Sequence, residues 1–159
     1  MKDDMQEATD TPGVFAHPPL IYVGALIAGL LADALFPVPF LPRTVAWTIG
    51  LPLIAGGVIV GFLGDRALSE AETNRSPYAP TTRLVTEGPY RFTRNPLYLS
   101  VTLLYAGISI LANALWASLL LPFVLIIMTY GVIEREERYL ERKFGEEYVR
   151  YKARVRRWV

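Results

Sequence analysis

Four long apolar runs limit this chain more than any other feature. They extend from Pro19 to Phe36, from about Thr44 to Leu63, from Leu97 to Ala112 and from Ala114 to Ile133. Each approaches the length a helix needs to cross about 30 Å of hydrocarbon. Asp33 interrupts the first run, and the third is short enough that its helix is expected to begin within the membrane interface. Pro37, Pro39 and Pro42 break the chain between the first two runs, and Asn113 marks a tight turn between the last two. The expected fold class is an all-α integral membrane protein with four transmembrane helices. Apolar residues make up 52% of the chain, which agrees with the membrane class. Pro52 and Pro122 fall inside the second and fourth runs as candidate kinks. Gly57-x-x-x-Gly61 allows another helix to come close, from this chain or from a second copy.

Two scarce residue types exclude whole classes of chemistry. There is no cysteine, so disulfides, thiolate zinc sites, iron–sulfur clusters and cysteine nucleophiles are absent. The one histidine is His17, which leaves no Ser-His-Asp arrangement and no multi-histidine metal site to build. Residues 1–17 carry four acids and one lysine, unlike a signal or transit peptide. They read as a mobile tail ahead of one membrane domain, 18–159.

Basic residues give the orientation. Of 16 lysines and arginines, five lie between 64 and 96 and nine follow Ile133, whereas the 37–43 connection holds only Arg43. The positive-inside rule then places the middle loop and both termini in the cytoplasm. A prokaryotic cytoplasmic membrane is the expected location, with membrane lipids as partners and no nucleic acid.

The middle loop ends in "EGPYRFTRNPLYLS". Glu87-Gly88-Pro89 reads as a turn. Asn95 is a favoured N-cap residue and Pro96 suits the first helical position. The free N–H groups of that helix start, beside Arg91 and Arg94, suit a carboxylate or phosphate. Tyr90 and Tyr98 fit either an aromatic belt or a stacking surface for a planar ring.

After the fourth run, Ile133, Leu140, Phe144, Tyr148, Tyr151 and Val155 form one helical stripe, with Gly145 as a possible bend. This predicts an amphipathic helix over about 134–152. Glu136 and Glu137 fill the gap in the stripe, so at least one carboxylate must face the apolar side and needs a cation. That cation is a loop arginine or an ammonium on a ligand. Glu134, Glu141, Glu146 and Glu147 read as solvated positions with basic neighbours. Anion-binding groups at one helix start and a carboxylate at another helix exit, on one membrane side, suit a zwitterion.

The segment "LVTEGPYRFTRNPLYLS", followed about 40 residues later by "EREERYLERKFGEEYVRYKARVRRW", resembles the isoprenylcysteine carboxyl methyltransferase family, grouped with phospholipid N-methyltransferases. The resemblance covers about residues 72–158. It implies S-adenosylmethionine as methyl donor, held in a cytoplasmic pocket between the middle loop and the C-terminal helix. No Gly-x-Gly occurs, in keeping with the absence of a dinucleotide-binding domain. By that resemblance the donor-binding residues are Thr82, Arg83, Leu84, Val85, Tyr90, Asn95, Pro96, Leu97, Tyr98, Glu136 and Glu137, with Glu136 the first of the pair. Arg94, Glu137 and Tyr98 are the candidate catalytic residues.

The chain departs from the family pattern at two places. Asn95 stands where the family usually has histidine. Val132 stands where eukaryotic isoprenylcysteine enzymes have an arginine for the substrate carboxylate. The expected activity is methyl transfer to a lipid-like or prenylated acceptor entering from the bilayer, by O-methylation of a carboxylate. The alternative is N-methylation of a phosphatidylethanolamine-type lipid. An NADPH-dependent sterol-type reductase and a non-enzymatic membrane protein are further readings.

Overall fold

The computed structural model describes residues 17–74 and 79–159, and among these every regular element is helical. The chain forms α1 (Pro18–Leu35), α2 (Arg43–Glu70), a 3₁₀ turn (Gly88–Arg91), α3 (Pro96–Leu111) and α4 (Leu115–Met128). A π-helical turn (Thr129–Ile133) then joins α4 to α5 (Glu134–Phe144), and α6 (Glu146–Arg154) follows. The tail expected over residues 1–17 lies outside the described residues, apart from His17.

Three helices are long and apolar enough to cross a membrane: α1, α2 and the continuous helix Leu115–Phe144. The apolar part of the last ends at Ile133, where the charged α5 begins. α3 is apolar but has 16 residues. The outer faces confirm the setting. Leu31, Ile59, Phe62, Phe123 and Ile126 are all more than half exposed, a surface that water would not tolerate but lipid does.

α2 runs to Glu70, seven residues beyond the expected end at Leu63. Nothing in Gly64-Asp65-Arg66 stops it. Gly64 packs on Leu97 and Pro96 instead of ending the helix. The stop comes at Glu72, whose φ of +52° puts a non-glycine residue in the left-handed cap position. Thr73 N–H then reaches back to the Leu68 carbonyl at 3.1 Å, as in a Schellman cap.

The glycine stripe is used within the chain. A methyl group on Gly61 would lie 2.5 Å from Ser100 Oγ, and one on Gly57 3.0 Å from the Ser100 carbonyl. Ser100 Oγ donates to the Gly57 carbonyl at 2.7 Å. α2 and α3 therefore touch backbone to backbone. α1 packs on α4, with Tyr22, Tyr105, Val124, Met128 and Val132 forming the shared core. At the end of the bundle away from α5, Asp33 accepts the Trp116 and Ala117 N–H groups at 3.1 and 3.3 Å and so caps α4. Asn113, with φ +53°, makes the expected turn, and its amide binds both backbone groups of Leu41. Both polar residues that interrupt the apolar runs thus serve backbone groups at helix ends.

Candidate functional site

The opposite end of the bundle carries the charges. Gly88, at φ +58°, turns the chain into the 3₁₀ segment that presents Tyr90. Three residues later the chain meets its own C-terminus. Arg94 N–H donates to the Arg156 carbonyl at 3.0 Å, Thr93 Oγ1 to the Arg157 carbonyl at 3.1 Å, and Tyr151 Oη to the Tyr90 carbonyl at 2.7 Å.

This contact changes the expected role of Asn95. It does stand before α3, with Pro96 at the first helical position, but its side chain makes no cap. Asn95 Nδ2 donates to the Arg157 carbonyl at 3.0 Å instead. The amide is drawn to the C-terminal chain, and Thr93 Oγ1 accepts the Asn95 N–H at 3.2 Å. The first N–H groups of α3, those of Leu97 and Tyr98, have no preceding turn to bond to.

The two glutamates have opposite surroundings. Glu137 is 4% exposed and enclosed by cations. Arg94 Nη2 donates to Oε1 at 2.7 Å, while Arg157 grips both oxygens at 3.0 and 2.9 Å. Burial works against its ionised form. The Arg157 hydrogen bonds and the Arg94 charge outweigh that, and hold the carboxyl below its ordinary range. Glu136 faces a cavity and accepts the Tyr98 hydroxyl at 2.6 Å. Among the described residues no cation pairs with it. Burial raises it from 4.5 to about 7; the Tyr98 hydrogen bond lowers it and the Glu137 charge adds to the rise. Glu136 is half-buried and opens only to the cavity.

The π-helical turn sets this arrangement. It adds one residue to the turn before α5, and such turns are frequent at functional sites. Glu137 and Tyr139 are buried, and Glu136 is turned toward α3.

The cavity has a volume of about 390 Å³, within the usual range for small-molecule sites. Arg83, Leu84, Val85, Tyr90, Asn95, Pro96, Leu97, Tyr98, Glu136 and Glu137 all line it, as does Arg94. Thr82 does not. It holds the loop from behind: its N–H donates to Thr73 Oγ1 and its hydroxyl to the Glu72 carbonyl, both at 3.0 Å. Arg83 carries no ion pair among the described residues. Arg94 and Glu137, two of the three catalytic candidates, are engaged with each other. Tyr98 is the third and points at Glu136. Of the other glutamates, Glu141 pairs with Lys152, Glu134 with Arg157 and Glu146 with Arg150.

Arg157, Tyr148 and His17 were not foreseen at this site. Gly145, at φ +54°, divides the expected single helix into α5 and α6, and the chain after α6 brings Arg157 back to Glu137. No sequence signal singles out Arg157, which is the last of five basic residues after Gly145.

Comparison with known proteins gives a family. Residues 45–147 match the family described as Phospholipid methyltransferase. A 65-residue stretch is 46% identical to a Haemophilus influenzae protein named only as uncharacterized, covering 40% of this chain and all of that one. No solved structure matches. The loop–helix start and the acidic pair that meet at the cavity both lie inside the matched segment, and the chain belongs to the phospholipid methyltransferase family, within the isoprenylcysteine carboxyl methyltransferase-like superfamily of membrane methyltransferases.

Proposed function

We propose that this protein is an S-adenosylmethionine-dependent methyltransferase that O-methylates the carboxylate of a lipid-like acceptor at the cytoplasmic face of a prokaryotic membrane. Glu136 carries the reading. It is a carboxylate in a largely apolar cavity wall, with a tyrosine hydroxyl as its hydrogen bond and no countercharge among the described residues. Leaving such a group uncompensated is costly, and a ligand ammonium offsets that cost. The remaining wall suits the rest of the donor. Arg83 and the start of α3 fit a carboxylate, Tyr90 fits an aromatic ring, and Leu84, Val85 and Leu97 supply apolar surface.

When bound, the donor supplies an electrophilic methyl group on a sulfonium. The chain's own contribution is to hold and orient the two reactants and to keep water out. An ionised carboxylate acceptor brings its own lone pair and needs no base. Isothermal calorimetry of the purified protein should show donor binding with a Kd between about 1 µM and 1 mM, the span of ordinary enzyme KM values. No heat in several detergents and in nanodiscs would refute the reading.

A second reading, N-methylation of an ethanolamine-type phospholipid, is favoured by the family's description and by Val132. That residue is fully buried in the α1–α4 core, so the position offers no cation to a substrate carboxylate. Lipid extracts from a deletion strain separate the two readings, because only the second loses N-methylated headgroups.

The topology proposed has α3 as a fourth span that starts in the interface, with both termini cytoplasmic. The chain's lack of cysteine makes this simple to test. Val38 and Arg142 are exposed at opposite ends of the bundle. On spheroplasts, an impermeant maleimide should label Val38→Cys, and should label Arg142→Cys only after lysis. The reverse pattern would invert the topology.

A further inference from the structure

Two segments carry charge of one sign only. Residues 88–98 and 148–159 together hold seven lysines and arginines and no acid. Four of the seven are paired with glutamates: Arg94 and Arg157 with Glu137, Lys152 with Glu141 and Arg150 with Glu146. Arg91, Arg154 and Arg156 are exposed and make no ion pair among the described residues. Arg91 stands three residues before Arg94 in the motif, yet it does not line the cavity, and neither does Arg156.

The fold brings Arg91 and Arg156 to one edge. The Arg94 N–H bond to the Arg156 carbonyl and the Thr93 hydroxyl bond to the Arg157 carbonyl lay the C-terminal chain across the residues just before α3. Thr93 is buried in that contact, whereas Phe92 beside it is 76% exposed. Trp158, two residues past Arg156, is half-buried. An exposed phenylalanine flanked by unpaired arginines suits the boundary of a bilayer. A soluble polyanion would meet the charges and leave the ring in water.

Depth in the membrane points the same way. α3 has 16 residues, so it rises about 24 Å, short of the about 30 Å of a hydrocarbon core. With α3 as the fourth span proposed above, the residues before it sit where headgroups meet acyl chains. The C-terminal chain bound to them is held at the same level. There the Phe92 ring meets hydrocarbon, and the guanidinium groups meet lipid phosphates, to which arginine donates paired hydrogen bonds.

We propose that Arg91, Phe92 and Arg156 form a binding site for the headgroup of an anionic phospholipid, at the edge where the C-terminal chain crosses the start of α3. The site is separate from the cavity and does not depend on what the cavity binds. It exists only while the C-terminal chain is docked, because its two arginines come from segments far apart in the sequence. A lipid held between them therefore favours the docked chain, and with it the Arg157 grip on Glu137.

Photolabelling tests this in phosphatidylcholine nanodiscs that contain a small fraction of phosphatidylglycerol with a diazirine on its headgroup. The label should map to residues 91–92 and 154–158. Excess unlabelled phosphatidylglycerol should suppress it, and excess phosphatidylcholine should not. Arg91→Ser and Arg156→Ser should each weaken labelling about fivefold and together about 25-fold, the effect of one and two arginines near an anionic surface. Neither side chain makes a bond among the described residues, so both variants should melt as wild type in phosphatidylcholine. Arg142→Ser, which removes an exposed arginine from α5, should label as wild type. Phosphatidylglycerol should also slow amide hydrogen exchange across residues 92–95 severalfold in wild type and leave it unchanged in the double variant. Labelling that survives the double substitution, or that falls equally in Arg142→Ser, would reduce these arginines to general surface charge and overturn the site. Suppression by dissolved tripolyphosphate as complete as by the lipid would assign the edge to a soluble anion and overturn the lipid. Exchange that ignores the lipid would overturn the link to the docked chain.

Discussion

Glu136→Gln should lower affinity for S-adenosylmethionine at least about 100-fold while the protein remains folded. A desolvated charge pair that loses one partner costs about 2–5 kcal/mol, and 100-fold corresponds to about 2.8 kcal/mol. Glutamine keeps the volume and can still accept the Tyr98 hydroxyl, so the loss isolates the charge. Stability should move the other way. Glu136 in the empty protein has a pKa raised from 4.5 to about 7, so stability falls as pH rises from about 4.5 and the loss is complete above about 7. At pH 8 the Gln variant should therefore melt no lower than wild type. A variant that binds the donor normally, or that fails to fold, would remove Glu136 from the role.

The same shift gives a pH profile. Below about 7 the empty site holds a proton that a cationic ligand must displace. Wild-type affinity should then be flat above pH 7 and fall about tenfold per unit below it. The Gln variant should be flat throughout. Tyr98→Phe removes the hydrogen bond that lowers Glu136, so it should move the wild-type midpoint to higher pH.

Sequence and structure agree most where one rule acts alone. Hydropathy located four apolar helices, three of them long enough to cross a membrane, because an apolar helix shows in composition over a long window. Helix ends depend on single residues. Glu72 adopts φ +52° without glycine or proline to announce it, so α2 overran its expected limit. Asn95 followed a sound local rule and still made no cap, because a carbonyl 62 residues away competes for its amide. The stripe from Ile133 to Val155 was legible since it starts where the π-helical turn ends; counted through that turn, it would have slipped by one residue. The motif side of the cavity was legible, since all the motif residues except Thr82 line one cavity. The α1 wall was not, because no local pattern in His17-Pro18-Pro19 implies where that helix start will pack.

The acidic pair also predicts its own division of labour. Glu137→Gln should destabilise the protein by about 3–5 kcal/mol, because it strands the buried Arg94 charge, and Arg94→Ala by about 1–3 kcal/mol, because Arg157 still holds both Glu137 oxygens. Side-chain exposure is 8% for Arg94 and 5% for Glu137, so water cannot take the missing partner's place. Arg157→Ala should also cost less than Glu137→Gln, since its side chain is 29% exposed and Arg94 still faces Glu137. The double variant Arg94→Met with Glu137→Met should be more stable than either single charge deletion, since removing both ions avoids the stranded one. Arg150→Ala, which breaks an exposed pair with Glu146, serves as control and should cost under about 0.5 kcal/mol. Denaturant unfolding in detergent measures all five. If Arg94→Ala costs no more than Arg150→Ala, the buried pair does not form. The pH behaviour then separates the two glutamates. Glu137 is held below its ordinary range, so its contribution is present above about pH 4.5 and is lost only as pH falls further. Between pH 5 and 8 stability from the ion-pair network should stay constant while donor affinity changes by orders of magnitude. One carboxylate locks α5 and the C-terminal chain to the start of α3; the other, one residue earlier, faces the cavity with no cation partner among the described residues.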